Sequence, residues 1–223
     1  MKKFLIPALI LVIAMACVLL SACAQSTAES KSPYYTTEEY LDRVFNFTLN
    51  EDNKSYLVET GDVNYEGVVV IPSIYKGLPV TRVEDAAFAD CHNYTKIIIP
   101  DSVTYIGDAA FSGCFNLTSI IMGNGVTYIG NYLTSSCQNL KRVNIPDGVT
   151  HIGEYAFNDA RKTKSITIPV SVTYIGAHAF ASLESITYKG TKAQWNNIEK
   201  SDYGVFAYEP KIIHCTDGDI SSN

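Results

Sequence analysis

The chain has four His and six Cys, yet no two histidines stand in H-x-x-x-H spacing and no two cysteines in Cys-x-x-Cys. The spacing signals of a zinc site are therefore missing. Also missing are a G-x-S-x-G nucleophile elbow and a G-x-x-x-x-G-K phosphate loop. His214 and Cys215 are adjacent, but neighbours on a strand point to opposite faces and cannot form a nucleophile–base pair there. No metal ligand, cofactor-binding residue or catalytic residue is assigned, and the chain is read as not an enzyme. Basic side chains are scarce as well. Apart from Lys2 and Lys3, the chain holds 15 basic against 23 acidic groups, a net charge of −8. That balance argues against a nucleic-acid partner, whose phosphates demand a basic face. Charged residues make up only 18% and aromatic residues 11%, which is not the composition of a disordered chain.

What is present begins with an address. Met1-Lys2-Lys3 precedes seventeen residues without a charge, Phe4 to Leu20, and then Leu20-Ser21-Ala22-Cys23. Basic start, apolar middle and small-residue cleavage region are the three parts of an export signal. The box resembles that of bacterial lipoproteins, a resemblance confined to the first 23 residues. It implies cleavage after residue 22 and a lipid on the Cys23 thiol, which ties the chain to a membrane. Ordinary secretion through Ala22-Cys23-Ala24 and a retained apolar anchor are the alternatives. Ala24 to Pro33 is small and polar and reads as a flexible tether spanning about 17 Å.

The remainder has a period of 23. Val80-Thr81, Val103-Thr104, Val126-Thr127, Val149-Thr150 and Val172-Thr173 recur at that interval, each followed by Val83, Ile106, Ile129, Ile152 or Ile175. Gly107, Gly130, Gly153 and Gly176 come next, with Glu84 in the first copy. Phe88, Phe111, Phe157 and Phe180 hold a further column, interrupted by Thr134, and Cys91, Cys114 and Cys137 another. Short I-x-I segments ending in Pro precede most Val-Thr pairs. No helix or strand period gives 23, whereas a chain coiling once per 23 residues does, because apolar slots in one turn bury only against their equivalents in the next. The glycines permit a tight turn or a close approach between turns.

The run I-I-I-P-D-S-V-T-Y-I-G-D-A-A-F-S-G-C-F-N-L at 97–117 resembles the BspA-type leucine-rich repeat family, over about residues 45–215. The resemblance implies a mainly β fold, a curved leucine-rich-repeat solenoid with a parallel sheet, on a bacterial surface protein used in adhesion. The expected organisation is a signal peptide at 1–22 and the lipidated Cys23 with its tether at 23–33. An N-terminal cap and opening coil follow at 34–79, with a β-hairpin around Asn50–Asn53. About five coils at 80–187 and a C-terminal capping segment with tail at 188–223 complete it. Trp195, the only Trp, is expected in the closing cap. The third coil, where Met122-Gly123-Asn124-Gly125 and Leu133-Thr134 replace the repeat residues, is expected to be irregular. The cysteine column is read as a ladder of buried thiols, with one disulfide as the alternative.

Alternation in the I-x-I segments should turn the middle residues outward on the concave side. That column reads Ile98, Ile121, Asn144, Thr167 and Thr187; beside it stand Lys96, Arg142 and Lys164. These are the candidate ligand-binding residues, apolar at one end and basic at the other. A second stripe, Tyr105, Tyr128, His151 and Tyr174, is an alternative that would suit a glycan. The expected function is non-covalent binding of a protein or glycan by a protein exported to the outer face of a bacterial membrane or the cell surface, anchored there by lipid, with no cofactor. A structural spacer without a ligand is the rival, and an enzyme a further alternative.

Overall fold

The structure is a computed structural model that describes residues 37–206 and 212–221. Cys23, the signal and the tether lie outside the described residues. The chain from Thr37 onward winds into a β-solenoid, and each repeating residue type has a mechanical reason.

Thr104, Thr127, Thr150 and Thr173 each donate the backbone N–H to the carbonyl of the Thr one turn earlier, at 2.9 Å. Their hydroxyls donate to the same carbonyls at 3.1–3.3 Å. The preceding valines point inward and are wholly buried at Val80, Val103, Val126 and Val149. Four residues after each Val, the glycines meet the previous turn. A Cβ on Gly107, Gly130, Gly153 or Gly176 would lie 2.4–2.7 Å from backbone atoms of the turn before. Of the two roles open to these glycines, the structure uses the close approach. A polar ladder runs alongside: Asp108, Asn131 and Glu154 donate backbone N–H groups to the side-chain oxygens of Asp85, Asp108 and Asn131, at 2.7–2.9 Å.

These Val-Thr-x-Ile segments form one continuous parallel sheet. Its rungs are Tyr56–Thr60, Leu78–Val83, Tyr105–Ile106, Tyr128–Ile129, His151–Ile152, Tyr174–Ile175 and Glu199–Lys200. Among the described residues that is seven rungs, the five expected coils and one more in each capping region. The second strand of the N-terminal hairpin and the segment after the closing helix both adopt the rung geometry, so the caps extend the ladder while covering its ends. The I-x-I segments on the other side do not form one sheet. Gly67–Val70, Tyr94–Ile98, Ser119–Ile121 and Arg142–Val143 make one block; Ser165–Ile168, Ser185–Tyr188, Ile212–Cys215 and Gly218–Ser221 make a second. At the end of the first block Asn144 accepts from the Met122 N–H (2.7 Å) and donates to the Met122 carbonyl (2.8 Å), so a side chain takes the place of a strand partner.

The core follows the columns. Phe88 stacks on Phe111 with centroids 5.8 Å apart, and Phe157 on Phe180 at 5.9 Å. Between the pairs sits buried Thr134, whose hydroxyl donates to the Ala156 carbonyl at 3.1 Å. Leu133 fills the slot held by Ala in neighbouring turns, so the third coil shifts its bulk by one residue and stays in register. The irregularity expected there appears one turn later, at the break between the I-x-I blocks. Cys91, Cys114 and Cys137 are buried free thiols. Cys114 and Cys137 donate Sγ hydrogens to the Phe88 and Phe111 carbonyls at 3.0 Å. Burial pushes the Cys91 thiol up to about 11, so it stays protonated and unreactive at neutral pH.

A helix not foreseen, α1 (Glu38–Val44), precedes the hairpin; Thr37 caps it and Tyr40, Leu41 and Val44 are buried. The hairpin pairs Phe45–Leu49 with Tyr56–Thr60 as expected. Tyr75 of the inserted turn stacks on Phe47 at 3.8 Å. At the other end α2 (Lys192–Asn196) carries a capping box of Thr191 and Gln194. Trp195 is buried against Tyr188, so it is a cap residue.

Gly130→Ala should destabilise the fold by about 1–3 kcal/mol, since a methyl there must displace backbone. Gly148→Ala, whose Cβ would meet nothing nearer than 3.4 Å, should be neutral or stabilising. Urea unfolding of both variants checks this, and equal losses would contradict the close-approach reading.

Candidate functional site

Strand alternation places Ile97 and Ile99, Ile120 and Met122, and Ile166 and Ile168 inward, all buried. Ile98 and Ile121 are half-buried and face outward, as do the exposed Asn144, Thr167 and Thr187. Backbone register adds a residue the 23-residue spacing could not find. Val70 pairs with Ile98, and Ile98 with Ile121, so three apolar side chains stand in one outward row. The inserted turn at Ile74–Pro79 lengthens the interval before Ile98 and hides Val70 from the period.

Two residues earlier, on the same face, Lys96 pairs with Ser119 and Ser119 with Arg142. Ser119 is buried at 5% exposure, so the two cations flank a shallow dip. Among the described residues Lys96, Lys141 and Arg142 enter no ion pair. Lys164 lies 3.7 Å from Glu184, and Arg161 pairs with Asp159. Surface pairs of this kind contribute about 0–1 kcal/mol, but they lower the local positive field. The structure therefore gathers Lys96, Ile98, Ile121 and Arg142 on one block, with Asn144 closing it. Thr167 and Lys164 belong to the other block. The unpaired cations stand beside the apolar row as well as beyond its end.

The second stripe is a stack closed at its Arg82 end. The Arg82 guanidinium lies 4.0 Å from the Tyr105 ring centroid and is held by Glu84 at 3.2 Å. Tyr105–Tyr128, Tyr128–His151 and His151–Tyr174 follow at 4.7, 4.5 and 4.6 Å, all within 10° of parallel. These rings are half-buried, and all their faces but the outer face of Tyr174 are spent on one another or on Arg82. What they offer to solvent is edges and hydroxyls. Desolvation raises the pKa of Tyr105 and Tyr128 and lowers that of His151. A further aromatic column, Tyr132, Tyr155 and His178, lies in the bends after the glycines and was not singled out from sequence, although its 23-residue spacing was there to be read.

Residues 80–212 match six copies of the BspA type leucine rich repeat region. Among solved structures, a leucine rich cell surface protein of Faecalibacterium prausnitzii A2-165 is 31% identical, with a TM-score of 0.61 over 70% of this chain and 40% of that one. The chain thus spans well under half of that protein's length. The T. pallidum leucine rich repeat protein is 25% identical, with a TM-score of 0.50 over 66% of this chain and 84% of that one. No curated protein matches the sequence.

The His151 environment has a pH consequence. Its folded pKa lies below the unfolded value, so the contribution is fully present above the unfolded pKa and lost as pH falls through that region toward the lower folded pKa. The urea midpoint of the parent should therefore drop more between pH 7.5 and pH 5.5 than that of His151→Tyr, which keeps the ring stack without the titrating group. Equal drops would show that His151 is as free as in the unfolded chain.

Proposed function

The chain belongs to the BspA-type leucine-rich repeat family, and on that premise we propose that it is a bacterial surface protein that binds a protein partner non-covalently through the I-x-I block of its first turns. The observation that carries this reading is the in-register row Val70, Ile98 and Ile121, outward on a sheet and flanked by Lys96 and Arg142, which have no ionic partner among the described residues. A surface that needed only solubility would place polar residues there, as the second block does with Thr167 and Thr187. Fully burying an isoleucine against a partner contributes about 1.5–3 kcal/mol, so even part of that from each residue of such a row gives useful affinity. Unpaired cations beside it suit a partner with acidic residues around its apolar anchor, and steer that partner in at low salt.

The described similarity to a cell surface protein supports the location, and the lipoprotein-type box ending in Cys23 supports anchoring by a lipid thioether. The family is one of binding solenoids, which supports recognition over catalysis.

Ile98→Asp with Ile121→Asp, in the chain lacking residues 1–22, should keep a melting temperature near the parent's, because both side chains face outward. The pair of proteins is used to capture surface proteins from a cell extract. A partner held by the parent, released by salt and lost by the folded double variant is the expected result. Equal capture by both would move binding off this face, and a melted variant would show that these positions belong to the core.

A further inference from the structure

Tyr132, Tyr155 and His178 occupy one slot in successive turns, and the same slot in the two turns before holds Ala86 and Ala109. All five residues have left-handed backbones, with φ between 51° and 54°. Identical backbone geometry at every rung aims the side chains the same way. The Tyr132 and Tyr155 rings accordingly lie 5.2 Å apart and 5° from parallel, and the His178 ring follows at 5.1 Å, tilted by 54°. Backbone hydrogen bonds hold the rungs in step through the change from ring to methyl: Ala109 N–H to the Asn131 carbonyl at 2.7 Å, Tyr132 N–H to that of Glu154 at 2.8 Å.

The column therefore forms a step. One face of Tyr132 is covered by Tyr155, and the other looks over Ala109, where a methyl group stands in the place of a ring. Tyr132 is 44% exposed, while Tyr155 and His178 are half-buried. This differs from the Arg82-to-Tyr174 stripe, in which the guanidinium closes the open end. Polar groups stand along the rungs of the step. The Ser112 hydroxyl, which donates to the Ser135 carbonyl at 3.3 Å, keeps its oxygen free to accept, whereas both Asp108 oxygens accept from Asn131 and Asp85 Oδ1 accepts the Asp108 N–H.

We propose that this step is a carbohydrate site, in which one pyranose ring of a neutral polysaccharide stacks on the open face of Tyr132 above Ala109. A vacancy one rung deep beside an aromatic face takes a flat ring. The apolar C–H face of a pyranose meets the π face, and its equatorial hydroxyls are left to the serine oxygen and water at the rim. Asp85 and Asp108, on a chain of net charge −6, disfavour phosphate, sulfate and uronate groups, which sets the ligand as neutral. The site is separate from the I-x-I block and does not depend on it.

The test uses the chain lacking residues 1–22 with hexasaccharides of β-1,4-glucose, α-1,4-glucose and β-1,4-mannose, and a sulfated β-1,4-glucose hexamer, followed by saturation-transfer NMR and calorimetric titration. At least one neutral hexamer should bind. Tyr132→Ala removes the platform and Ala109→Tyr fills the vacancy with the protein's own ring; each should weaken binding about tenfold, a difference of 1.4 kcal/mol. Tyr132→Ala truncates an exposed side chain and keeps the test readable should Ala109→Tyr fold poorly. Ile98→Asp with Ile121→Asp should bind sugar as the parent does, so failure of the protein-binding reading leaves this one standing. Binding of no neutral hexamer, binding of the sulfated hexamer alone, or unchanged affinity in Tyr132→Ala would overturn the proposal.

Discussion

At Gly107, Gly130, Gly153 and Gly176 successive turns approach so closely that a single added carbon would fall within 2.4–2.7 Å of the preceding turn's backbone. The approach is held by the Thr ladder a few residues before it, where one carbonyl receives both an N–H and a hydroxyl from the turn that follows. With the backbones fixed there, each turn must return in register, and every other slot becomes a column. Valine, isoleucine and phenylalanine columns fill the interior, and Asp85, Asp108 and Asn131 tie the bends by accepting the N–H of the next turn. The close approach is the constraint, and the fold is its repetition.

Repetition also decides what the surface can do. A side chain at a given slot has a neighbour of the same slot one rung away, so chemistry is written in rows rather than in converging pockets. The row Val70, Ile98 and Ile121 is apolar; the row Thr167 and Thr187, one sheet block further, is polar. The two aromatic rows differ by what ends them. Arg82 closes one, and Ala109 leaves the other open at Tyr132. Such rows suit flat or extended ligands.

The 23-residue interval made the solenoid legible, because a period longer than any helix or strand repeat has one mechanical cause. The alternation in Ile97-Ile98-Ile99 and Ile166-Thr167-Ile168 gave the inward and outward faces correctly, since strand geometry allows only two directions. The parallel Cβ vectors of stacked cysteines likewise foretold free thiols at Cys91, Cys114 and Cys137. Other features depend on interactions between turns that no single repeat reveals. Asn144 replaces a strand partner through its side chain, which a strand pattern cannot announce. Val70 fell outside the period because of the insertion at Ile74–Pro79. Glu199–Lys200 became a rung without a Val-Thr signature, since the preceding turn supplied the template. The left-handed backbone at Tyr132 and Tyr155 is imposed by the bend geometry of every turn and carries no glycine to mark it.

The central claim is that the Val-Thr-x-Ile-Gly spine holds the stack as one unit even where the opposite side divides between Arg142–Val143 and Ser165–Ile168. Native-state hydrogen exchange at the amides of Thr104, Thr127, Thr150 and Thr173 tests it directly. The account predicts closely similar opening free energies at all four, near that of global unfolding. Two separate values, one for Thr104, Thr127 and Thr150 and a lower one for Thr173, would show that the break on the far side divides the molecule and that the spine does not unify it.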